Sequence, residues 1–65
     1  MNSDPFDEAV RLFNTLTPFN KALTAGQLNI KGYVNRQVSD EVVRSAFVQY
    51  STMFDLDKLV KEMVT

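Results

Sequence analysis

The stretch "NIKGYVNRQVSDEVVRSAFVQY", residues 29–50, decides how the chain is read. In its second half Ser39, Asp40 and Glu41 form a strong helix start: a hydroxyl that caps, then two carboxylates at the positive end of the dipole. Val42, Val43, Ala46, Phe47, Tyr50, Met53 and Phe54 follow at spacings of three and four, and at about 100° per residue they fall within an arc of roughly 140°. In its first half Asn29 can cap another helix holding Ile30, Tyr33, Val34 and Val38, although Gly32 inside it costs about 1 kcal/mol relative to alanine. Two short helices meeting at Val38-Ser39 have the outline of a helix-turn-helix.

Working outward, the same grammar recurs. Asp4 and Pro5 open a helix whose apolar face is Phe6, Ala9, Val10, Leu12, Phe13 and Leu16, with Asp7 and Glu8 in its first turn. Thr17-Pro18 repeats the start signal, so a break or sharp kink is expected there; the alternative is one bent helix from about residue 5 to 25. Phe19, Ala22 and Leu23 continue the pattern until Gly26, which can end the helix in a left-handed conformation. Asp55 offers a last cap ahead of Leu56, Leu59, Val60 and Met63, leaving residues 40–64 as either one long helix or two. The chain therefore reads as all-α, a single domain spanning residues 1–65 built as a small bundle of about four short helices, with Val10, Phe13, Leu23, Val43, Phe47 and Tyr50 near its centre.

Composition narrows the chemistry. Neither cysteine nor histidine occurs among the 65 residues, so disulfides, Cys-His and Ser-His-Asp machinery and His-ligated metals are excluded. The chain is read as a non-enzyme without cofactor or metal. Asp7-Glu8, Asp40-Glu41 and Asp55-Asp57 could pair for acid-base work, but each sits at a helix start where a carboxylate already has a structural use. The five phenylalanines fall on apolar faces and are read as core rather than as base-stacking platforms. No apolar run approaches the roughly 20 residues of a membrane span, and the acidic N-terminus is unlike a signal peptide, so a complete, soluble, cytoplasmic chain is expected.

Charge weighs against the DNA-binding outline. Asp40 and Glu41 occupy the turn that a recognition helix would present to phosphates, and the net charge of −1 offers no compensation. Residues 9–39 nevertheless hold Arg11, Lys21, Lys31 and Arg36 without an acid, which keeps DNA as the alternative, with Lys31, Arg36 and Arg44 as its contacts. About 45% of this small chain is apolar, more than helices this short can cover for one another. The expectation is a dimeric protein-protein interaction module, a stoichiometric regulator or inhibitor of the kind phages and plasmids carry. Its interface is expected on the exposed side of residues 30–48, at Tyr33, Arg36, Arg44 and Val48.

Overall fold

The computed structural model describes residues 4–33 and 38–64. Four helices appear among them: α1 (Pro5–Thr15), α2 (Pro18–Gln27), α3 (Asp40–Ser51) and α4 (Leu56–Val64). Each begins where a side-chain oxygen takes an orphan backbone donor. The Asp7 N–H donates to Asp4 Oδ1 at 2.8 Å, that of Asn20 to Thr17 Oγ1 at 3.3 Å, and that of Val42 to Ser39 Oγ at 3.3 Å. Asp55 does the same for α4 through the Asp57 N–H at 3.0 Å, so residues 40–64 form two helices. Leu16 and Thr17 are both extended, which separates α1 from α2 in place of a single bent helix.

The fourth helix is not the one expected. Asn29 does not cap a helix; it ends one. Its φ is +62°, its N–H donates to the Gly26 carbonyl at 3.1 Å, and the Ile30 N–H reaches the Ala25 carbonyl at 3.0 Å. This is the Schellman arrangement, and Asn is the residue after glycine that best tolerates the left-handed conformation. Gly26, expected to stop α2, instead keeps an ordinary helical backbone inside it. Carrying α2 past Gly26 brings Leu28 into the core, where it is 7% exposed. Gly32 has φ +72° in the turn that follows, so it serves a turn and not a helix interior. The expected helix is thus absent over 29–32, Tyr33 has a 3₁₀ conformation, and Val34 and Arg36 lie outside the described residues.

α1 is the hub, packing against each of the other helices, while α3 also meets α4. The core is Ala9, Val10 and Phe13 of α1, Ala25 and Leu28 at the end of α2, Val43 and Phe47 of α3, and Leu59 of α4. Phe13 sits edge-on to Phe47, ring centres 6.4 Å apart, and edge-on to Tyr33 at 5.8 Å. Two expected core members fall elsewhere: Leu23 is exposed and Tyr50 only half-buried. Phe19 and Phe54, also expected inside, are exposed. No helix among the described residues is long and apolar enough to cross a membrane.

Candidate interaction surface

One face of α3 explains why the expected surface is not simply presented. The centre of its apolar stripe lies near Tyr50, but the buried direction runs between Val43 and Phe47, roughly 50° further round. Arg44 accounts for the turn. Its guanidinium donates to Asp4 Oδ2 at 2.6 Å and to Asp7 Oδ1 at 3.0 Å, and stacks over the Phe6 ring at 5.7 Å. Asn14 of α1 likewise donates to Asp40 at 3.1 Å. These contacts draw the Arg44 side of α3 onto α1, half-burying Val48 and Ser51, and leave Val42 on the opposite edge exposed.

The Asp4 carboxyl is held below its ordinary pKa, first by the Asp7 backbone N–H and then by Arg44. The Arg44 guanidinium is pushed up by its hydrogen bonds to Asp7 and Asp4. Asp4 therefore serves twice, as the α1 cap and as a partner to α3.

The four residues expected at the interface are placed as follows. Tyr33 is half-buried against Phe13, Arg44 is joined to the first turn of α1, Val48 is half-buried on α3, and Arg36 lies outside the described residues. Tyr33 and Arg44 thus meet α1 nearly two turns apart, and the structure does not gather them into one patch. Of the residues named for DNA, Lys31 is exposed in the turn after α2, while Arg44 is already engaged by two carboxylates.

What the structure leaves uncovered lies elsewhere. On α2, Phe19 is 71% and Leu23 52% exposed. Phe19 stands nine positions before buried Leu28, about two and a half turns, and so points away from the core. Ala22 and Gly26 share its outward side, and no charged residue does. Beside this face a groove of about 190 Å³ runs between α2 and α4, with Leu16, Leu23, Leu59 and Met63 as its apolar wall and Asn20, Thr24, Gln27 and Glu62 as its polar one. At the far end of α4, the turn from α3 exposes Met53 and Phe54, the latter lying at a tilt on Tyr50 with ring centres 5.0 Å apart.

Sequence reasoning placed Phe19, Leu23 and Phe54 on the core side because periodicity locates an apolar stripe without saying whether a neighbour exists to cover it. The missing signal was the length of α2, whose Schellman ending turns Ala25 and Leu28 inward and its first turn outward. The carboxylates do not converge: no group of three or more acidic side chains suited to a metal ion forms among the described residues. No protein-family model, curated protein or solved structure matches the chain.

Proposed function

We propose that the chain is a small non-catalytic protein-binding module that acts stoichiometrically on a partner protein in the cytoplasm. The observation that carries this reading is the exposure of Phe19, Leu23, Met53 and Phe54, large apolar side chains gathered on two surfaces. Isolated exposed apolar residues are ordinary, but grouped ones on so small a chain are the signature of an interaction surface. Asp4 and Asp55 already serve as helix caps, Asp4 and Asp7 as partners to Arg44, Glu8 as the partner of Arg11 and Asp40 as the acceptor for Asn14.

Affinity capture from the source lysate on the full chain tests the reading. Wild type should retain a protein in near-equimolar amount, and Phe54→Asp or Phe19→Asp should lose it while keeping helical circular dichroism. Val48→Asp tests the surface of Tyr33, Arg36, Arg44 and Val48 in the same experiment. Retention indifferent to all three substitutions would remove these surfaces. Retardation of duplex DNA at about 50 mM salt, weakening steeply as salt rises, would favour the DNA-binding alternative instead.

A further inference from the structure

We propose that the outward face of α2 is the contact between two copies of this chain, packed antiparallel about a two-fold axis passing between Ala22 and Leu23. This rests on reading the chain as an interaction module and names the occupant of one of its two surfaces.

The pattern of sizes is self-complementary. Along the face the residues run Phe19, Ala22, Leu23, Gly26, alternately large and small. In an antiparallel pair centred between positions 22 and 23, Phe19 of one copy meets Gly26 of the other and Ala22 meets Leu23. Every bulky side chain then faces a small one, as an isologous contact requires. Gly26 has no use within the protomer: its backbone is right-handed helical, and a Cβ built there would meet nothing within 4 Å. A helix-interior glycine with open space above it leaves room for an approaching Phe19.

The charges agree. The face carries none, so the two-fold axis brings no like charges together. α1, α3 and α4 each have an acid in the first turn, whereas α2 has neither an acid there nor a base in its last turn. Antiparallel packing sets the positive end of each α2 beside the negative end of its mate. Area sets the strength. The protomer exposes 4833 Å², against about 4,200 Å² for a compact monomer of its mass. A face the size of that surplus on each copy hides roughly 1,200 Å² in all, the lower edge of specific interfaces, which fits a weak and reversible dimer.

Sedimentation equilibrium on the full chain from about 1 µM to about 1 mM covers the range in which such a contact dissociates. Wild type should pass from monomer to dimer. Gly26→Leu should weaken the dimer about tenfold or more without lowering helicity, and adding Phe19→Ala to it should restore most of the loss, because the smaller side chain makes room for Leu. The chain has no thiol of its own, so Ala22→Cys provides an independent check: it should cross-link to a disulfide dimer under mild oxidation, while Gln49→Cys, at an exposed position of α3, should not. A chain monomeric throughout, a dimer indifferent to Gly26→Leu, or cross-linking through position 49 alone would each overturn the proposal. A monomer whose captured partner is still lost on Phe54→Asp would sink the dimer and leave the interaction module standing.

Discussion

The α1–α3 contact and α2 show two ways for a short helix to meet its neighbours. α1 and α3 close on each other completely, with Phe13 against Phe47 in the middle, Arg44 bound to Asp4 and Asp7 at one end, and Asn14 on Asp40 at the other. α2 commits only its last turns, through Thr24, Ala25 and Leu28, and holds Phe19 and Leu23 out to water. A helix of ten residues rises only about 15 Å. When its C-terminal half is used to reach the core, its N-terminal half is free for something else. The fold is therefore finished on one side and open on the other.

The sharpest way to break the comparison is at the closed side. Phe47 is fully buried with its ring edge-on to Phe13, and Phe47→Ala should cost about 3–5 kcal/mol, most or all of the stability of a domain this small. Chemical denaturation followed by circular dichroism measures it. Phe19→Ala should leave the same midpoint almost unchanged at concentrations where the chain is monomeric, since the ring it removes already lies in water. Equal losses from the two substitutions would mean that α2 is not open.

Asn29 joins the two regions and predicts a smaller effect. Asn29→Ala forces a β-carbon without a helpful side chain into the left-handed region and should cost about 1 kcal/mol, whereas Asn29→Gly should be neutral or slightly stabilising. Thermal melts separate the two. Gly26→Ala should move the other way, raising monomer stability by up to about 1 kcal/mol, because the added methyl group meets open space and favours the helix.

Asn29 and Gly26 also show what the sequence could and could not convey. The starts of α1, α2 and α3 were legible because a cap is a local event: Asp4, Thr17 and Ser39 each bond a donor three residues on. The end of α2 was not, because Gly26 and Asn29 are both competent to stop a helix and the choice depends on whether Leu28 finds a core. The rotation of α3 was hidden for the same reason. Arg44 looked like a solvent-facing residue until α1 placed two aspartates beside it, nearly forty residues away in sequence. Of the surface, the apolar surplus was readable and its location was not. Periodicity marked Phe19, Leu23 and Phe54 as apolar-face residues, and only the tertiary arrangement decides which apolar faces have a neighbour.

The smallest predicted effect concerns pH and the Arg44 contact. Asp4 has a folded-state pKa below its ordinary value of 3.8, so the proton binds the unfolded chain more readily than the folded one. Its contribution is therefore complete above the unfolded value and is lost as pH falls through the folded one. Melting temperature should decline below about pH 4 by an increment belonging to this residue. Asp4→Asn keeps a side-chain oxygen to cap α1 but removes the charge that faces Arg44. At neutral pH the variant should melt slightly below wild type, and the gap should close in acid as the wild-type carboxyl becomes neutral. Arg44→Met, which keeps the stem over Phe6 and discards the charge, should shrink the same acid-dependent increment. A gap between wild type and Asp4→Asn that stayed constant from neutral pH to pH 2 would mean that the carboxyl acts only as a cap, and that packing alone turns α3 toward α1.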